Sequence, residues 1–179
     1  MEPVSPQIDF VHFFDYVVRA RAVLLDWILA QPASVYARDF PIGLGSIRMT
    51  LVHLAAAEWN YANRLAGIDY GPGDNPFTVD HFPDLAPLAS AWRQQAETTR
   101  GALVRMGDAT RRIEYLSRSF SPPMRTETTA GGIAGQLLFH EVHHRAQVMA
   151  MLRQAGVSAE NLDYSRLMWR RTPMVDHDA

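Results

Sequence analysis

Four stretches of the chain, each of roughly 20 residues, repeat apolar side chains every three or four positions, the period at which one face of an α-helix recurs. In residues 9–30 the repeat is carried by Phe10, Phe14, Val17, Leu24 and Ile28, and Pro32 closes it. Residues 46–67 open on Ser46, a good N-cap, run through Ile47, Leu51, Leu54, Trp59 and Leu65, and stop at Gly67. A third segment starts near Asp84, tolerates Pro87 in its first turn, and aligns Leu85, Leu88, Trp92, Thr99, Leu103 and Met106. The fourth spans residues 133–154 and ends at Gly156.

The connections read differently. Residues 68–83 are a loop rich in Gly, Pro and Asp. Residues 111–129 alternate like short strands around Ser121-Pro122-Pro123, which predicts a hairpin or small excursion. Residues 157–179 carry Leu162, Tyr164, Leu167, Met168 and Trp169, a packing segment with an acidic tip. The expectation is an all-α four-helix bundle with a crossover or small insertion between its third and fourth helices. At 179 residues it forms one domain over 1–179, with its core in about 8–156.

Composition narrows the function classes. A net charge of −2 argues against a protein built to neutralise nucleic-acid phosphates. No apolar run approaches the ~18 residues that span a bilayer, so no membrane partner is expected. Met1 to Pro6 lack the features of a signal peptide, which makes a cytoplasmic location the default expectation. All 17 cationic residues are arginine, so lysine Schiff-base chemistry is impossible. Cysteine is absent, and any metal must be held by histidine, carboxylate and water.

Seven histidines are unevenly placed. His12, His81 and His177 fall at a helix start, in a loop and in the tail, where exposed surface positions are expected. The stripe of the fourth helix reads Ile133, Leu137, His140, His144, Val148, Met151, so His140 and His144 share a face one turn apart. Such a pair fits either one metal ion or two hydrogen-bonded core residues. His53, among Met49, Ala56, Ala57 and Asn60 on the second helix, suggests an inward orientation and favours metal. It supplies a third nitrogen and leaves one coordination position open. His143 points about 100° away and reads as a neighbour of the site, Glu58 as a salt-bridge partner within the bundle, and Trp59 as core.

Residues 140–144 also satisfy H-E-x-x-H, in which the glutamate acts on the attacking water of a zinc protease. The context is poor. Gln147 and Ala150 stand where the extended motif needs Gly and His, and Glu160 lies close behind as the one downstream glutamate. A protease also needs a sheet edge for extended substrate, whereas the preceding chain reads as almost entirely helical.

Ser46-Ile47-Arg48-Met49-Thr50-Leu51-Val52-His53-Leu54, with Glu58-Trp59, resembles the second-helix motif of the DinB/YfiT-like metalloprotein family. Phe139 to Gln147 resembles its fourth-helix signature, H-x-x-x-H-R-x-Q, and residues 152–156 match the way that helix ends in the family. Ala146 departs from the glycine many members carry, a small-for-small change. The resemblance covers about residues 8–156. It implies a bundle of unusual connectivity, a divalent metal (zinc or nickel) on three histidines, a small-molecule substrate, and often a homodimer. Characterised relatives include S-transferases and isomerases that use low-molecular-weight thiols.

The function expected on these grounds is a metal-dependent transferase that activates such a thiol for attack on a small electrophile. Because the chain has no cysteine, the thiol must come from a cosubstrate. Arg145 and Gln147 are expected to support the site rather than to react. Two alternatives are a hydrolase using metal-bound hydroxide, and a non-enzymatic metal-binding or structural bundle whose aromatic tail, Tyr164 and Trp169, serves a partner.

Overall fold

A computed structural model describes residues 8–118 and 121–172. Its elements, in chain order, are α1 (Phe10–Leu29), α2 (Ala33–Ala37), α3 (Ile47–Ala66), α4 (Leu85–Val104), β1 (Arg112–Ser117), β2 (Met124–Thr129), α5 (Ala130–Gln154) and α6 (Tyr164–Met168). α1 packs against α4 and α5, and α3 packs against the same two, so the long helices close a ring. His177 and the first seven residues lie outside the described part of the chain.

Local chemistry sets the helix ends. The Asp9 carboxylate accepts from the His12 amide at 2.9 Å, and Ser46 Oγ from Met49 at 3.1 Å, each satisfying a first-turn donor that has no helical partner. Gly67 adopts φ +70°, which turns the chain out of α3 while the Ile68 amide donates to the Asn63 carbonyl at 2.9 Å.

The all-α expectation needs correction. β1 and β2 form an antiparallel two-stranded sheet in which Arg112 pairs with Thr129 and Ser117 with Met124. Alternation in Arg112-Ile113-Glu114-Tyr115 sends Ile113 inward and leaves Glu114 outside, beside Arg112 and Arg125. α5 also begins earlier than residue 133, because Thr129 Oγ1 accepts from the Gly132 amide at 3.0 Å and caps it. Gly131 and Gly132 sit inside this first turn, where Cβ atoms would press on Ala109 and on the Thr128 hydroxyl. The tail reading is corrected in part. Tyr164 packs against Tyr16 and Phe13, while Trp169 is exposed.

The core holds charge as well as hydrocarbon. Arg21 on α1 is 4% exposed and donates to Glu58 on α3 at 2.6 Å and to Glu141 on α5 at 3.2 Å. On α4, Trp92 Nε1 donates to Glu58 at 2.7 Å, Thr99 Oγ1 donates to it at 2.9 Å, and the guanidinium lies 3.9 Å over the Trp92 ring. All four long helices therefore meet at one polar knot, as the salt-bridge role expected of Glu58 requires. Burial pushes the Glu58 carboxyl above its usual range, opposed by the Arg21 charge. A buried ion pair adds little net stability when complete, but losing one partner strands the other's charge. Arg21→Met is expected to cost about 3–5 kcal/mol in urea unfolding. A loss smaller than ~1 kcal/mol would show that the knot is not structural.

Candidate metal centre

His53 comes from α3, and His140 and His144 come from successive turns of α5. Ala62 and Leu65 of α3 share a core cluster with Ile133 and Leu137, so the two helices run antiparallel, with the histidines at the same height. His53 Nε2 and His140 Nε2 face each other at 3.0 Å, and one donor nitrogen from each of the three rings lies within 4.8 Å of the others. A tetrahedral ion with bonds of ~2.0–2.1 Å places its ligand nitrogens ~3.3 Å apart, close to this spacing. Ring centroids are separated by 4.6 to 4.9 Å, with the planes steeply inclined. This arrangement can hold a metal ion.

Protonation favours the same use. Partial burial, reinforced by the neighbouring imidazoles, holds His140 down at about 4, and burial also lowers His53. At neutral pH both rings present lone pairs, the form a metal requires. Among the described residues no carboxylate joins the cluster.

Gln147 orients the third ring. Its Oε1 accepts from His144 Nδ1 at 2.8 Å, which leaves Nε2 free for a ligand, while its amide nitrogen donates to His143 Nε2 at 3.1 Å. Gly43 backs this amide at φ +51°, and a Cβ there would collide with Gln147 Oε1. Sequence reasoning missed Gly43, because nothing local marks a contact made about 100 residues away. Arg145 is buried and donates to the Tyr16 hydroxyl at 2.6 Å, a role in packing.

Glu141 argues against the protease motif. It is 3% exposed, its carboxylate faces Arg21 rather than the histidines, and Glu160 is not in the cluster. The core-facing middle of α5 is made by Glu141 and Arg145, and His140 and His144 are half-buried at the edge of that stripe. The inward orientation expected of His53 is corrected too. Met49, His53 and the half-buried Ala56 and Ala57 form an open face, on which His53 is the most exposed of the three histidines although its ring is partly covered. His12 and His81 are exposed as expected, His143 is exposed and neighbours the site against His144, and Trp59 is half-buried at the core edge.

Comparison with protein families finds a match to the DinB family over residues 4–175. The chain belongs to the DinB family. A comparison with curated proteins finds no match. The DinB match runs across all three histidines, the polar knot and the hairpin. No helix among the described residues is long and apolar enough to cross a membrane.

His140 links the site to stability. An unfolded histidine binds its proton near pH 6.5, whereas the folded ring stays neutral down to about 4. The unfolded state therefore holds more protons between these values, and metal-free protein should lose stability as pH falls from 6.5 to 4. His140→Ala should flatten that slope in urea titrations, and an unchanged slope would refute the assignment.

Proposed function

We propose that His53, His140 and His144 bind one divalent metal ion, zinc or nickel, and that the site activates a low-molecular-weight thiol for attack on a small electrophile. The observation that carries this reading is the convergence of three imidazole nitrogens on one point, with His53 open to solvent. Three nitrogens leave a coordination position open, and the exposure of His53 gives a cosubstrate access to it. When bound, the ion acidifies whatever thiol or water joins it.

The chain's own groups favour a thiol over water. Glu141 is committed to Arg21, so the H-E-x-x-H glutamate is not free to take a proton from an attacking water. A thiol is the easier group to ionise, with an ordinary pKa of ~8.5, and needs no such base. The cysteine-free sequence requires it to arrive as a cosubstrate. Gln147 fixes the tautomer and direction of His144, and the Arg21 knot fixes α3 against α5. The closed ring of long helices supports the four-helix-bundle reading, with the hairpin as the insertion before its last member. DinB membership supports a homodimer and a small-molecule substrate.

Untagged protein is expected to carry close to one equivalent of divalent metal by elemental analysis, and alanine at any of the three histidines to remove it. Full retention in all three variants would end the proposal. Gln147→Leu should weaken metal binding ~10–100-fold, whereas Glu141→Gln should lower stability and leave the metal in place. Thiol-dependent consumption of an electrophile should disappear with chelator, and activity indifferent to exhaustive metal removal would contradict the mechanism.

A further inference from the structure

A cavity of about 630 Å³ opens where the loop leaving α3 meets β1, at the far end of α3 from His53. Its wall includes Arg64, Arg111, Arg118, Tyr70 and Tyr115. The Arg64 guanidinium lies 3.9 Å over the Tyr115 ring and 5.8 and 5.9 Å from the Tyr61 and Tyr70 ring centres. Stacking covers the face of a guanidinium and leaves the N–H groups at its edge available to an acceptor. Its Nε is buried without a hydrogen-bond partner.

The charge on this wall is unevenly spent. Among the described residues neither Arg64 nor Arg111 has a carboxylate ion-pair partner, although one Arg111 nitrogen donates to the Leu65 carbonyl at 3.0 Å. Glu114, which also lines the cavity, is taken by Arg112 and Arg125, and Asp74 accepts from the Gly71 amide at 2.7 Å. The wall then sets Arg64, Arg111 and Arg118 against Asp69 and Asp74, a net positive charge. The paired N–H groups at a guanidinium edge match the paired oxygens of a carboxylate or phosphate.

One face of α3 links the cavity to the histidines. His53, Ala57, Tyr61 and Arg64 recur at steps of four, four and three, so they share one face of α3 over ~16 Å. Tyr61 belongs to both ends of this stripe, since its ring meets His140 edge-on at 6.0 Å and also contacts the Arg64 guanidinium.

We propose that this cavity binds the anionic end, carboxylate or phosphate, of the small molecule whose reactive end lies at the histidine triad. The link to the triad rests on the function proposed above; the anion site itself does not. Arg64 and Arg111 hold the charged group, and Tyr70 and Tyr115 flank whatever carries it. The anionic end would then select which cosubstrate or electrophile is placed at the histidines.

The test uses full-length, chelator-treated protein titrated with benzoate, phenyl phosphate and the neutral analogue benzamide, read from arginine Nε–H resonances. At least one anion should bind saturably and at least tenfold tighter than benzamide, and the stronger of the two identifies the oxygen donor. Rising salt should weaken it. Arg64→Gln should abolish the binding. Because Arg64 also holds the hairpin, the double variant R111Q/R118Q, both positions exposed and only the Arg111 bond to the Leu65 carbonyl lost with them, supplies the independent check with an expected loss of fivefold or more. Equal binding of benzamide, or full affinity in the double variant, would overturn the proposal. His53→Ala should leave the anion affinity unchanged, so failure of the metal reading and failure of this one give different results.

Discussion

A guanidinium held between two carboxylates fixes the relative height of three helices. Arg21 cannot leave Glu58 or Glu141 without stranding charge away from water, so α1, α3 and α5 have one register in which all three are satisfied. On α3, Glu58 falls between the apolar cluster that includes Ala55 and the one that includes Ala62. On α5, Glu141 falls between the cluster of Leu137 and that of Val148. On α3 and α5 the knot therefore sits where the helix passes from one apolar cluster to the other, and a slip of one turn would break it.

Site geometry follows from that register. His53 lies five residues before Glu58, and His140 and His144 flank Glu141. Locking the two glutamates onto one arginine brings the three imidazoles to a common height on the outer side of the same helix pair. Helix α5 thus carries two adjacent sets of polar residues with separate tasks. Glu141 and Arg145 face inward and secure packing, while His140 and His144, one position away, face the groove. The H-E-x-x-H pattern arises from this interleaving, with its glutamate belonging to the inner set.

Much of this was legible in the sequence, for physical reasons. Period and end signals located the four long helices, and His140, His144 and His53 stood out as polar residues at stripe spacing. The hairpin was readable from alternation around Ser121-Pro122-Pro123, although a strictly all-α chain was not. The knot was only half legible. Glu58 was read as an ion-pair former, but Arg21 lies on the stripe Phe14, Val17, Leu24, Ile28, and a charge there reads as an interruption unless its partners are known. The exposure of His53 is not legible, because small residues such as Ala56 and Ala57 suit an open face as well as a core. The support of Gln147 by Gly43, and the arginine-lined cavity between residues 64–74 and 111–118, are tertiary contacts with no local signature.

X-ray absorption fine structure on protein reconstituted with one equivalent of zinc tests the central claim most directly, because it reports the ligands themselves. The account predicts three imidazole nitrogens at ~2.0–2.1 Å, with a fourth, lighter ligand replaced by sulfur at ~2.3 Å when a small thiol is added. A shell of oxygen ligands without imidazole scattering would contradict it.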